Sequence, residues 1–341
     1  YDNPWIPYDD RYTSRRFSFV KFETIEPFAP EGFDLLCDIL LNPAFDSTEV
    51  ENVRAGMLGV LRRNAGSPSK AARAEFYRLL FEGSPLEHPI MGTPESIGAI
   101  SIDNLREHHR TYYSPENMIL SIATSRDTSE VMPWVRDKLG ALEPGGRAVI
   151  SVASPTSRRF QRKTGHVEMD KEQIAIYAGD HLPGANSEET VDLQVATSIL
   201  SNRLFSDLRE RQGLAYSTGA SAVFAKDFGW YYVTISTGSE NYRRALQGLA
   251  LQTDKLAFDG PRQEEIQRAR NRLWGRLMSA KLSRLNQAYY LGLDELLGRR
   301  PGYDRVMLEK LRQVDFHSIR QAASRHFRTG SWVVATAGKQ P

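Results

Sequence analysis

Two stretches of this 341-residue chain answer one another 214 positions apart, and that spacing limits the architecture more than any other property of the sequence. Residues 105–113, LREHHRTYY, precede the apolar run NMILSIAT, and residues 319–327, IRQAASRHF, precede SWVVATA. Leu105 falls on Ile319, Tyr113 on Phe327 and Ile119 on Val333. Upstream, Ala44-Phe45-Asp46 falls on Ala257-Phe258-Asp259 at an offset of 213. The segments that follow share an apolar helix face, Val50, Val53, Met57 and Leu61 against Ile266, Ala269, Leu273 and Leu277, at an offset of 216. RFSFVKFET has its counterpart in FGWYYVTIST. Identity is weak, but the order, type and spacing of elements agree, so two copies of one unit are expected. The second copy opens near Gly165 with a strand and two helices before position 215, where by the offset the first copy begins. The first unit is therefore expected to lack about fifty residues of opening strand and helix, which another chain or further sequence would supply, unless that unit has diverged.

Local patterns fill in the units. Residues 16–24 and 117–124 read as strands from their aromatic and β-branched content. Helical periodicity runs through Phe33, Leu36, Ile39 and Leu40 until Asn42-Pro43, and then through 48–61, a segment opened by Ser67-Pro68, 101–113 and 129–141. After residue 165 come a strand (QIAIYAG), helices at 188–200 and 203–212, and two strands, LAYSTGASAVF and FGWYYVTIST. Helices near 239–257, 261–286, 304–312 and 315–327 lead to a last strand, SWVVATA. The Gly-, Pro- and Ser-rich stretch around 142–165 has little periodicity and reads as a linker. The expected organisation is a first unit over 1–143, a linker over 144–164 and a complete second unit over 165–341. The fold class is α+β, two repeated α/β layer units with mostly antiparallel sheets.

Composition excludes several function classes. With 40% hydrophobic and 25% charged residues the chain can bury a core, which excludes disorder. No apolar run approaches the ~18–20 residues that span a bilayer, so a soluble protein of cytoplasm or periplasm with no membrane partner is expected. The single Cys37 excludes an internal disulfide and a multi-cysteine zinc site. Residues 1–150 carry 16 Lys+Arg against 22 Asp+Glu, and the remainder 28 against 20. The basic excess forms no concentrated patch interleaved with aromatics, so no nucleic-acid partner is expected. G-x-S-x-G, P-loop and G-x-G-x-x-G motifs are absent, which leaves no signal for an autonomous hydrolase or nucleotide enzyme.

The chemistry-bearing stretch is 203–217, RLFSDLRERQGLAYS. A helix ends at Gln212-Gly213, with glycine in its usual place past a C-terminus, and a strand begins at Leu214. Arg209 and Tyr216 lie seven apart across that junction. This resembles closely the sequence at which insulinase-type (pitrilysin-type, inverted-zincin) zinc peptidases place a substrate-facing Arg and Tyr in the C-terminal half of the molecule. LLNPAFDSTEVENVR and HPIMGTPESIGAISIDNLREHHRTYYSPENMILSIA resemble segments of the same family, so the likeness covers nearly the whole chain in the right order. It implies a mitochondrial-processing-peptidase-like fold and a site completed by Arg209 and Tyr216. Standing alone, these two residues would read as a solvated cation near a helix C-terminus and a half-buried packing tyrosine.

The family holds its zinc by H-x-x-E-H and a further Glu downstream, two imidazoles on one helix face with a carboxylate beside them. This chain has no HxxEH, and Gly59 and Val60 stand where the downstream Glu is expected. His108 and His109 are adjacent and point about 100° apart on a helix, so they do not form a two-ligand face. No metal in this chain is expected. The resemblance implies a non-catalytic half or subunit that closes a peptide-binding chamber and presents Arg209 and Tyr216 to zinc in an HxxEH-bearing partner. The alternative is a structural subunit of the same fold with no role in proteolysis.

Overall fold

A computed structural model describes residues 11–143, 145 and 162–339. Most of the expected linker at 144–164 lies outside the described residues. In chain order the elements are β1 (Arg11–Thr13), β2 (Ser18–Val20), α1 (Ala29–Leu41), α2 (Ser47–Ala65), α3 (Pro68–Leu80), α4 (Pro94–Ala99), α5 (Ile102–Tyr112) and α6 (Thr128–Leu139). They continue with β3 (Lys163–Glu168), β4 (Gln173–Pro183), α7 (Thr190–Leu204), a π-helix (Phe205–Arg211), β5 (Ser217–Phe224) and β6 (Phe228–Gly238). The last are α8 (Tyr242–Phe258), α9 (Gln263–Ser279), α10 (Arg284–Leu296), α11 (Tyr303–Gln313), α12 (Phe316–His326) and β7 (Val333–Gly338). The described residues form two compact units. One draws on 11–61, 90–143, 145 and 280–296, the other on 62–89, 162–279 and 297–339.

The second of these units is built on a five-stranded sheet in the order β3-β7-β4-β6-β5. β3 runs parallel to β7, while β4–β7, β4–β6 and β5–β6 are antiparallel, the mostly antiparallel α+β sheet that the sequence implies. Alternate residues of its central strands feed two cores, as the period of two requires. Ile176, Ala178, Tyr231, Val233 and Val334 face α7, α8 and α12. Ala175, Tyr177, Trp230, Val333 and Ala335 face α3. There Trp230 is fully buried, edge-on to Phe81 with ring centroids 5.2 Å apart. Both faces of the sheet are covered, so β4 reads as a continuous apolar run and not as an alternating one. A buried ion pair ties the end of α7 to the start of α9. Arg203 Nε and Nη2 donate to the two Glu265 carboxylate oxygens at 2.9 and 2.7 Å.

The other unit is mainly helical. β1 and β2 form a short hairpin pairing Arg11 with Val20. Glu26 gathers the unit's loops: its carboxylate accepts from Ser125 Oγ at 2.7 Å, Arg126 Nε at 3.1 Å and Arg284 at 3.0 Å. The Ser125 hydroxyl and amide, with Thr124 and Arg126, outweigh burial and hold this carboxyl down to about 2. α5 and α12 begin and end 214 residues apart, and each opens on a capping box, Ser101 with Asn104 and Asp315 with Ser318.

Several expected elements differ. RFSFVKFET yields only the three-residue β2, and its mate β1 lies upstream of it. Residues 118–124 are irregular, whereas the matching β7 is a strand. β7 is hydrogen-bonded on both sides, by β3 and β4, and among the described residues no strand pairs with 118–124. A ladder partner, not side-chain content, decides between the two. The helix expected over 261–286 is two helices, α9 and α10, separated at 280–283. β3 begins inside the end of the stretch whose composition suggests linker, and the short α4 precedes α5.

Candidate functional site

The segment from Phe205 to Tyr216 departs from regular structure at the position where its chemistry lies. α7 passes directly into the π-helix, a form that is rare and concentrated at functional sites. The wide turn is closed by Gln212 N–H donating to the Asp207 carbonyl, five residues back, at 3.1 Å. Gly213 then takes φ +59°, the left-handed conformation that glycine adopts without steric cost. Leu214 N–H reaches back six residues to the Leu208 carbonyl at 2.8 Å, and its own carbonyl accepts the Thr237 hydroxyl at 2.6 Å. Tyr216 N–H donates to the Ser236 carbonyl at 2.9 Å, one residue ahead of β5. The sequence places Arg209 on an ordinary helix, but the structure places it on this wider turn.

The two side chains singled out from the sequence both face solvent. Tyr216 is 70% exposed, and its hydroxyl makes no hydrogen bond among the described residues. Arg209 is exposed, lies over the Phe205 ring at 5.1 Å, and makes no ion pair among the described residues. A purely structural tyrosine would bury its ring and bond its hydroxyl to nearby backbone. Here backbone and neighbouring residues are fixed while both polar tips are left available.

The histidines are engaged in ways that leave no zinc ligand set. His109 Nε2 bonds the Leu40 carbonyl at 2.7 Å and its ring stacks on Tyr113. His166 bonds Thr336 Oγ1 and Glu168, and His326 pairs with Glu189 at 2.9 Å. Burial drives His181 down to about 4, against a Leu80 backbone hydrogen bond that favours its charged form. Gly59 and Val60 lie within α2 and bring no donor. Among the described residues no group of three or more His, Cys, Asp or Glu side chains could hold a metal ion. No helix of the described residues is long and apolar enough to cross a membrane.

Comparison with known proteins adds the family. A family model described as the peptidase M16 inactive domain matches residues 99–273, just over half of the chain and inclusive of the π-helix, Gly213 and Tyr216. The chain belongs to the M16 peptidase family. This M16 chain is 26% identical over 316 residues to an uncharacterized zinc protease of Mycobacterium tuberculosis, covering 91% of itself and 72% of that relative. Its fold matches a peptidase M16 inactive domain from Pseudomonas fluorescens at TM-score 0.79 and 18% identity, over 90% of this chain and 74% of the other. It also matches a chain of Complex III2 from Candida albicans at TM-score 0.76 and 16% identity, over 92% and 78%. The family and the peptidase-like fold expected from the motifs are thus those observed. Sequence reasoning missed the π-turn and the buried groups that hold it.

Proposed function

We propose that this chain is the non-catalytic half or subunit of an insulinase-type zinc peptidase, completing a peptide-binding chamber and presenting Arg209 and Tyr216 to a zinc centre carried elsewhere. The observation that carries this reading is the pairing of a firmly bonded turn with two exposed donors that make no side-chain hydrogen bond or ion pair among the described residues. A guanidinium and a phenol donate hydrogen bonds to the oxygen on which charge develops when a peptide carbonyl becomes tetrahedral. Donors held ready for that oxygen are worth a few kcal/mol each. The metal and the general base belong to the HxxEH-bearing partner, because the described residues here offer no ligand set for zinc. We further propose the tandem organisation of 1–143, 144–164 and 165–341 as copies of one unit about a linker. The matched boundaries and caps of α5 and α12 support it.

The second reading is a structural subunit. A likeness to a chain of Complex III2 supports it at the level of fold, and exposed Arg209 and Tyr216 favour the first. The test is reconstitution with an HxxEH-bearing M16 polypeptide and a fluorogenic peptide. Tyr216→Phe is expected to lower turnover by roughly 10²-fold, the scale of one lost oxyanion donor. Peptide affinity should change much less, since the interaction strengthens mainly in the transition state. An unaltered turnover in the full assembly would favour the structural subunit.

A further inference from the structure

We infer that Gln252, with Gly248 one turn before it on α8, is the positioning residue that aims Arg209 and Tyr216. The inference rests on reading those two side chains as donors to the reacting oxygen. The π-helix, a rare form frequent at functional sites, has in addition to its backbone bonds an anchorage from a neighbouring helix. Gln252 supplies it. The residue is 7% exposed, and its amide Nε2 donates to Asp207 Oδ2. The other oxygen, Asp207 Oδ1, pairs with Arg211 at 3.0 Å. Gly248 lets the next residue seat. Leu208 is fully buried, and a Cβ on residue 248 would lie 2.5 Å from Leu208 Cδ2. Asp207 and Leu208, the two residues immediately before Arg209, are therefore both held by one face of α8. An apolar contact alone would tolerate sliding, whereas a part-buried amide–carboxylate hydrogen bond fixes distance and direction. Beyond Arg209, the Thr237 hydroxyl and the Ser236 carbonyl of β6 hold the backbones of Leu214 and Tyr216. The donors thus project from a turn clamped at both ends, and at the α8 end the clamp grips the turn's own side chains, Asp207 and Leu208.

The test uses the full chain carrying 3-fluorotyrosine at position 216, read by fluorine NMR, with thermal unfolding measured in parallel. Gln252→Leu and Gln252→Glu are each expected to shift or broaden the residue-216 resonance. Gln252→Glu combined with Asp207→Asn should restore it, because the amide and the carboxylate have then exchanged sides. Should Gln252→Leu fail to fold, Gln252→Glu and its rescue carry the test. In the reconstituted peptidase Gln252→Leu is expected to lower kcat by roughly 10- to 10²-fold, as misplacement of about 1 Å does, with KM within about twofold, and the exchanged pair should recover it. A residue-216 resonance that neither single variant moves overturns the positioning role, whatever the rates. A perturbed and rescued resonance with unchanged kcat upholds the positioning of the turn and overturns instead the reading of Arg209 and Tyr216 as oxyanion donors.

Discussion

Removing the charge of Glu265 is expected to destabilise the sheet-bearing unit by an amount that depends on pH in a defined way. Glu265 is 8% exposed and accepts both Arg203 bonds, while Arg262 N–H donates to its Oε2 at 2.8 Å. Burial alone would raise its pKa. The Arg203 hydrogen bonds, then the Arg262 amide and the Arg203 charge, overturn that and hold it at about 2 rather than 4.5. Each tenfold change in proton affinity is worth about 1.4 kcal/mol, so the depression corresponds to roughly 3 kcal/mol before solvent screening around the partly exposed Arg262. About 2 kcal/mol is the expected net. A depressed carboxyl contributes its stability above the unfolded value, near 4.5, and loses it as pH falls toward 2. Glu265→Gln should therefore cost about 2 kcal/mol in urea unfolding at pH 7, and the difference from wild type should shrink as pH falls from 5 to 2. A penalty of equal size at pH 7 and pH 2.5 would show that packing, not the ion pair, sets the value. A penalty below about 0.5 kcal/mol at pH 7 would place this pair with exposed bridges.

Three further outcomes follow. Trp230→Ala, which empties the fully buried site between α3 and the sheet, should cost about 3–5 kcal/mol in chemical denaturation. Gly213→Ala meets no atom within 4 Å, so its expected cost of about 1–2 kcal/mol comes from the left-handed backbone alone; a destabilisation well beyond that would mean that the turn is crowded. Elemental analysis of the dialysed chain should show no stoichiometric zinc, and stoichiometric zinc with chelator-sensitive peptide cleavage would refute the non-catalytic assignment.

What the sequence made legible was what local pattern controls. The helices α5 and α12 could be read from their caps and periodicity, because Ser101 and Asp315 each bond the amide three residues on without help from the rest of the chain. QIAIYAG is a strand in any context that covers both its faces. The misread segments are those settled by partners distant in sequence. NMILSIAT and SWVVATA have similar apolar content, yet among the described residues only the second is placed between two strands. Lys163, Thr164 and Gly165 end the stretch that reads as linker, and they open a strand because β7 offers them a parallel edge.

The site divides along the same line. Arg209, Gly213 and Tyr216 form a contiguous signature and could be found by inspection. Their support could not, since Asp207 and Gln252 are 45 residues apart and a glutamine in a helix ordinarily marks the solvated face. One signal was nevertheless present. Ala245, Leu249, Gln252 and Leu256 follow the spacing of a single buried helix stripe, and the structure buries all four. A glutamine in that stripe breaks the apolar pattern, and a buried amide without a partner costs about 1–3 kcal/mol. Such an interruption therefore requires an acceptor on whatever packs against the stripe. The π-helix supplies it in the residue two before Arg209, so the polar break in α8 and the irregular turn that carries the proposed donors are two halves of one arrangement.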